Sequence, residues 1–523
     1  MKRRRWFTIP AMDRSRPESS LPTQEMEMTT MGQAMQLHAR ILKTGSPDTA
    51  TRDLADVFTF SALSGNLTYA RRLLSALPPP RDSYFHNTLI RAYSASPTPA
   101  PALLLFLSMH LRRRPAPPDA FTFPFVLRAC ARSRQARVGK QLHALLHKSD
   151  LTADPFVQNS LIHFYCVCGD SGAARKVFDQ MPAPDVVSWT SLIDGLVDDG
   201  RPLEALKVFD GMLGSGIQLN DAAAVSVLRA CASTGALSVG ERVDAILEEE
   251  AEQEPNVTTA MIDMYAKCGR IEDASRVFRE AKRKNVFTWT AMIAGLACHG
   301  MWEDAAAVFG EMQERGVKPD GRTMTAILSA CRNSGRVDAG CGYFETMGSR
   351  HGVTPSIHHY GVMADLLGRS GWLDEAEAFV ARMPVEPDAV VWRSLAWASG
   401  FHGDADRCER IARERLGMEC GSLVLAGNAL AAAGRWAEKG EVRRAMGARG
   451  VAKPAGHSRI EVEGEIHEFR AGDSSQAEAG KIYAQVVEME GRLREEGYRP
   501  LLSLSEEDID DDHIHNFNSV QIC

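Results

Sequence analysis

Between residues 155 and 185 apolar side chains return every three or four positions, stop, and start again. Leu161, Ile162 and Tyr165 share one face of a helix written "VQNSLIHFYCVC"; Ala174, Val177, Phe178 and Met181 share one face of a second. Gly169 stands between them and can enter a tight turn at little steric cost. Pro182 ends the second helix, because proline cannot continue one. The pattern predicts a helical hairpin. It is also written more than once. "YCVCGDSGAARKVF" (165–178) returns 100 residues later as "YAKCGRIEDASRVF" (265–278), "VVSWTSLIDGL" (186–196) as "VFTWTAMIAGL" (286–296), and "VLRACASTG" (227–235) as "ILSACRNSG" (327–335). Trp189 thereby maps onto Trp289, Phe209 onto Phe309 and Cys231 onto Cys331.

The same ruler divides the chain into ten hairpins: 51–82, 83–119, 120–154, 155–185, 186–220, 221–254, 255–285, 286–320, 321–356 and 357–388. Upstream, "QAMQLHARILKTG" (33–45) echoes "GKQLHALLHKS" (139–149), so half of an earlier unit precedes them. One hairpin cannot bury its apolar face alone. Stacked neighbours bury a continuous core, which predicts an all-α superhelical solenoid with an extended concave surface and a C-terminal extension.

Composition narrows the picture. Apolar residues make up 44% of the chain, and the richest run, "PALLLFLSMHL" (101–111), is too short to span a membrane. Eleven cysteines are an odd number, and Cys130, Cys231 and Cys331 occupy equivalent first-helix positions, as small core residues would. The net charge of −7 argues against non-specific binding to a polyanion, although part of the acidity is local to "SEEDIDDD" (505–512), which reads as a disordered tail. The first thirty residues carry Lys2, Arg3, Arg4, Arg5, Arg14 and Arg16, the leaning of an organellar transit segment, interrupted by Asp13, Glu18, Glu25 and Glu27.

No phosphate-binding G-x-x-x-x-G-K-[ST] and no G-x-S-x-G occurs. "HALLH" (143–147) has the i, i+4 spacing of a zinc pair but lacks the Glu of H-E-x-x-H, and His143 repeats His38. None of the fifteen histidines begins H-x-E, and no two cysteines are three apart, so the ligand set of a zinc nucleobase deaminase is missing. These absences predict a binding scaffold without its own catalysis, cofactor or metal.

The repeats resemble pentatricopeptide repeats. "VVSWTSLIDGLVDDGRPLEALKVFDGMLGSGIQLN" (186–220) and "VFTWTAMIAGLACHGMWEDAAAVFGEMQERGVKPD" (286–320) match that pattern almost throughout, whereas the W-x2-L-G-x2-Y of tetratricopeptide repeats is lacking. The alternating lengths resemble the plant PLS subclass, with long-type "FTFPFVLRAC" (121–130) and short-type "MIDMYAKCG" (261–269). The resemblance covers 33–388 and implies a right-handed superhelix of helix-turn-helix repeats. "AVVWRSLAWASGFHGDAD" (389–406) and "GNALAAAGRWAEKGEVRRAMGARGV" (427–451) resemble E motifs, giving an E region over 389–456. "HSRIEVEGEIHEF" (457–469) and "EEGYRPLLSLS" (495–505) resemble the E+ extension over 457–505, with Ala455 where Pro is usual and Arg459 where Trp is usual; the acidic tail is 506–523.

That resemblance implies a site-recognition factor for organellar C-to-U RNA editing, its DYW-type deaminase supplied in trans and docked on 389–505. The Arg-rich start favours the mitochondrion, with the chloroplast as the alternative. RNA stabilisation or splicing, and a protein-binding scaffold, are the competing functions. In the family one base is read per repeat, by the fifth residue of the first helix and the last residue of the repeat. Carried onto this chain, Asn87 with Asp119 and Asn159 with Asp185 suit uracil, Thr190 with Asn220 and Thr259 with Asn285 suit adenine, and Thr290 with Asp320 suits guanine. Pro124, Val225 and Gly361 offer no side-chain hydrogen bond at the fifth position, and Thr325 with Ser356 is ambiguous.

Overall fold

The computed structural model describes residues 30–495 apart from 45–46, 77–82, 112–116, 249–253, 418, 449–456, 463 and 471–478. The transit segment expected at 1–30, save its last residue, and the acidic tail at 506–523 lie outside the described residues. Packing groups the chain into two compact units, Met1–Phe164 and Tyr165–Cys523.

In the first unit, helices Pro47–Leu63 with Leu67–Ala76, Tyr84–Ala95 with Ala100–Leu111, and Thr122–Arg132 with Ala136–Leu146 form pairs; the first of them begins at Pro47, four residues ahead of the expected 51. Met31–Thr44 packs on Pro47–Leu63 and supplies the expected half unit. In the second unit the pairs continue from Val186–Asp198 with Pro202–Gly214 to Ile357–Arg369 with Leu373–Ala381. First helices pack on first helices of the next repeat, as Val286–Cys298 does on Gly321–Asn333, so each hairpin is buried by its neighbours.

The local causes recur with the repeat. Gly169 and Gly269 turn between helices at φ 73° and 81°, a conformation that L side chains rarely adopt. Arg134 holds the same register in 120–154 and takes φ 50° there, the one non-glycine residue with positive φ among the described residues. Trp189 and Trp289 meet Phe178 and Phe278 edge to face, with centroids 4.6 and 4.9 Å apart, so the sequence period of 100 is a packing period as well. Cys130, Cys231 and Cys331 are fully buried, and burial pushes the thiols of Cys231 and Cys331 up to about 12. They serve as small core residues, as expected. Gly195 lets two first helices approach: a Cβ there would lie 2.0 Å from Cys166 Sγ.

The solenoid does not stop at 388. Ala389–Phe401 with Ala405–Glu414, and Cys420–Ala432 with Trp436–Ala448, are two more hairpins. A single apolar cluster runs from Leu328 and Met363 through Leu395 and Ile411 to Leu430. Beyond it lies a feature that the helical period did not announce, an antiparallel hairpin of His457–Val462 and Glu465–Arg470. The alternating "SRIEV" and "EIHEF" favour strands, and Gly464 at φ 82° closes the turn. Arg459, opposite Glu468 in the ladder, holds its carboxylate at 3.2 Å across the strands. Helix Ala479–Glu495 follows.

Candidate nucleic-acid interface

The last residue of a repeat is the N-cap of the next first helix. Asp185, Asn220, Asn285 and Asp320 all have extended backbones, and each accepts a hydrogen bond from a backbone N–H of the first turn. Capping accounts for the recurrence of Asn and Asp at this register, and it also fixes what they present outward. Asn285 Oδ1 accepts from the backbone N–H of Phe287 and Thr288 at 2.9 and 3.1 Å. Its Nδ2 therefore faces away from the helix, and the group on offer is a donor. Asp320 Oδ1 accepts from Thr323 N at 2.9 Å, leaving the second carboxylate oxygen as an acceptor.

The fifth residues sit beside these caps. Asn87 Nδ2 donates to Asp119 Oδ1 and Oδ2 at 2.9 and 3.1 Å, so this pair, 32 residues apart in sequence, is in direct contact. Thr323 lies between Thr290 and Asp320: its hydroxyl is 2.8 Å from Thr290 Oγ1 and 3.0 Å from Asp320 Oδ1, and its one proton can go to either. Thr259 and Asn285 are linked likewise through Thr288, at 3.2 Å on each side. Thr190 is buried and Asn220 caps its helix through Ala223 N, but the bridging position is alanine and no hydroxyl joins them. Asn159 is buried in the first unit, and Asp185 belongs to the second.

The bridging residues were not singled out from sequence, although a signal existed. Thr122, Ser188, Thr288 and Thr323 each lie three positions after the capping Asp or Asn, the spacing of a capping box. Ser188 and Thr323 complete such a box with Asp185 and Asp320. Thr122 does more: its hydroxyl lies 2.7 Å from Asn87 Oδ1 and 2.9 Å from Asp119 Oδ1 and donates its one proton to either, while Ser83 also donates to Asp119. Burial pushes the Asp119 carboxyl up, but the hydrogen bonds from Ser83, Thr122 and Asn87 outweigh it and hold the group below the usual carboxylate range.

Three fifth-position threonines have the same donor geometry. Thr190, Thr259 and Thr290 donate to the carbonyls four residues back, Val186, Pro255 and Val286, at 2.7, 2.6 and 2.7 Å. Their lone pairs are what remains to meet a ligand. At the second position of four repeats stands an exposed apolar side chain: Tyr84, Phe121, Val187 and Phe287, between 37% and 50% exposed. Large apolar groups exposed at one register beside polar pairs form flat surfaces on which a planar ring can stack.

His143 and His147 stack at 4.6 Å between centroids, and burial together with the charge of His147 lowers His143. Among the described residues, no group of three or more His, Cys, Asp and Glu is arranged to hold a metal ion, and no helix is long and apolar enough to cross a membrane.

Comparison with known proteins identifies the repeat. The PPR repeat family matches at residues 184–233 and 284–333, and the PPR repeat at 159–183, 257–286 and 358–386. A chloroplastic/mitochondrial pentatricopeptide repeat-containing protein of Arabidopsis thaliana is 37% identical over 489 residues, covering 90% of this chain and 76% of its own. A second from the same plant is 35% identical over 558 residues, covering 95% of this chain and 86% of its own. Among solved structures, the pentatricopeptide repeat protein PPR10 from maize is similar with a TM-score of 0.43 at 16% identity, over 90% of this chain and 82% of its own. Its complex with an 18-nt psaJ RNA element gives a TM-score of 0.40 at 17% identity, over 81% and 78%.

Proposed function

The chain belongs to the pentatricopeptide repeat family, and from that premise we propose that it binds single-stranded RNA in a sequence-specific manner and selects sites for organellar C-to-U editing. The observation that carries the RNA reading is the pairing of fifth and last residues, direct in Asn87 with Asp119 and through one hydroxyl in Thr290 with Asp320. Such a pair offers two adjacent polar groups of defined polarity. Adenine shows a ring-nitrogen acceptor next to an amino donor, which the Asn285 amide and the Thr259 hydroxyl complement. Guanine shows two donors, which the Asp320 carboxylate accepts. Uracil shows one ring N–H between carbonyls, which suits Asp119 beside the Asn87 amide. Tyr84, Phe121, Val187 and Phe287 would stack the bases between repeats.

With the family's polarity, the N-terminal repeat toward the 5′ end, the bases from repeat 83–119 onward are U, any, U, A, any, A and G, followed by two weakly read positions. The PLS, E and E+ resemblances favour editing over RNA stabilisation or splicing. The chemistry then belongs to a DYW-type deaminase in trans, docked on 389–505, since this sequence has neither H-x-E nor C-x-x-C. The Arg-rich N-terminal segment favours the mitochondrion, with the chloroplast as the alternative. Sequencing organellar transcripts in a knockout tests the editing role: loss of conversion at one or a few cytidines preceded by this base order is expected. Unchanged editing with altered transcript ends or introns would assign stabilisation or splicing instead.

A further inference from the structure

The recognition positions account for bases but not for the charge of the strand that carries them. One turn beyond each fifth residue, at the ninth position of the repeat, the two units differ. In the second unit the ninth position is Asp194, Arg229, Asp263 and Asp365 in four repeats, each in an ion pair, and the uncharged Ala294 and Ser329 in two. Asp194 pairs with Arg229 at 3.1 Å, and Arg229 also holds Asp198 at 2.7 Å. Asp263 pairs with Lys267 at 2.8 Å, and Asp365 with Arg369 and Arg332 at 3.0 and 3.6 Å. In the first unit the ninth residues of 83–119 and 120–154 are Arg91 and Arg128, with Arg132 one turn beyond Arg128 on the same helix, Thr122–Arg132.

These three arginines are exposed residues, and among the described residues none has a carboxylate within ion-pair distance. They are gathered at the seam of two adjacent first helices. Arg91 lies over the Phe125 ring, 5.9 Å from its centroid, and Arg132 reaches back to donate to the Ser94 carbonyl at 2.5 Å. Burial, and then the charges of Arg132 and Arg91, lower Arg128. Three like charges held together without counter-charge, in a chain of net charge −7, are a cost that a bound anion would relieve. Arg91 stands four residues after the reader Asn87, and Arg128 four after Pro124, the fifth residue that cannot hydrogen-bond a base.

We propose that Arg91, Arg128 and Arg132 form a phosphodiester-binding site that clamps the RNA backbone at the 5′ side of the recognised sequence. The proposal rests on the RNA-binding reading above. It gives repeat 120–154, which reads no base, a positioning role: planar guanidinium forks suit phosphate oxygens, and fixing the backbone there sets the register for the bases that follow.

The test is the salt dependence of binding by the full chain, with RNA of the deduced base order and with the same RNA carrying G at the position facing Thr259 and Asn285. Each single-strand phosphate contact contributes about 0.7 to the slope of log K against log salt. Changing Arg91→Gln and Arg128→Gln together, which leaves the Arg132 to Ser94 contact in place, should lower the slope by about 1.4; adding Arg132→Gln should bring the loss to about 2. The A-over-G preference should stay as in wild type, and Lys at all three positions should restore most of the slope. An unchanged slope in a double variant that melts like wild type would overturn the site and leave the base-reading account standing. Failure of the wild-type chain to bind either RNA would overturn both.

Discussion

Asn285→Asp tests one proposed recognition contact while keeping the helix cap. In the wild type, Asn285 Oδ1 takes the N–H groups of Phe287 and Thr288, so Nδ2 is the group left for a ligand. Aspartate keeps the cap, because a carboxylate oxygen accepts the same two N–H groups and Asn and Asp are nearly equal at this position. Stability should therefore stay within about 0.5 kcal/mol. The outward group changes from donor to acceptor. Against adenine, the acceptor meets the ring nitrogen's lone pair, and the contact is lost with some repulsion. Against guanine, the carboxylate accepts N–H donors that the amide repelled. Each side of the exchange is worth about 1–3 kcal/mol by analogy with base readout in DNA, so the preference at this position should invert by at least tenfold. Fluorescence anisotropy with two RNAs differing only there, at fixed salt, measures it. A variant that still prefers A would mean that Thr259 and Asn285 do not read a base, and the register of the whole array would have to be redrawn.

Further outcomes follow from other parts of the molecule. Gly195→Ala puts a methyl group where Cys166 Sγ lies 2.0 Å away, and should cost about 1–3 kcal/mol in chemical denaturation; a neutral result would mean that the helices are not so close. Asp119 is held below the usual carboxylate range, so it is ionised well below neutrality, and its contribution to stability is lost only as pH falls through that lowered value. The uracil preference of repeat 83–119 should accordingly be flat from about pH 8 to pH 5; a loss with a midpoint above 5 would contradict the hydrogen-bonded arrangement. Removing residues 457–523 spares the core that runs to Leu430 and should leave RNA affinity within about twofold while abolishing editing; loss of both activities would argue against separate recognition and docking regions.

The hairpins were legible because their cause is local and repeated: apolar positions at helical spacing, a glycine at the turn, and a length that keeps register over 100 residues. The Trp189 and Trp289 environments match because their sequences do. Two things were less visible. The packing of 389–448 continues the same core, yet its sequence departs from the repeat pattern, so the physical array is longer than the written one. The strands at 457–470 depend on a period of two over only a few residues, too short to stand out beside many helices. For the interface, Asn and Asp at repeat ends could be named from sequence. Their role as N-caps, which sets whether a donor or an acceptor faces outward, needed the backbone. So did Thr122, Thr288 and Thr323, whose hydroxyls join residues about thirty positions apart.

The central claim is that polar pairs at one register read successive bases. It is tested most directly by the affinity of the purified full-length chain for a single-stranded RNA carrying U, any, U, A, any, A, G, against RNAs with each specified base changed in turn, at one salt concentration. Each substitution at the A, A and G positions should weaken binding by about 1–3 kcal/mol, the two unspecified positions should tolerate every base, and the effects should fall in the order of the repeats. Equal affinity for the matched RNA and for one with all three of those bases exchanged would contradict the account.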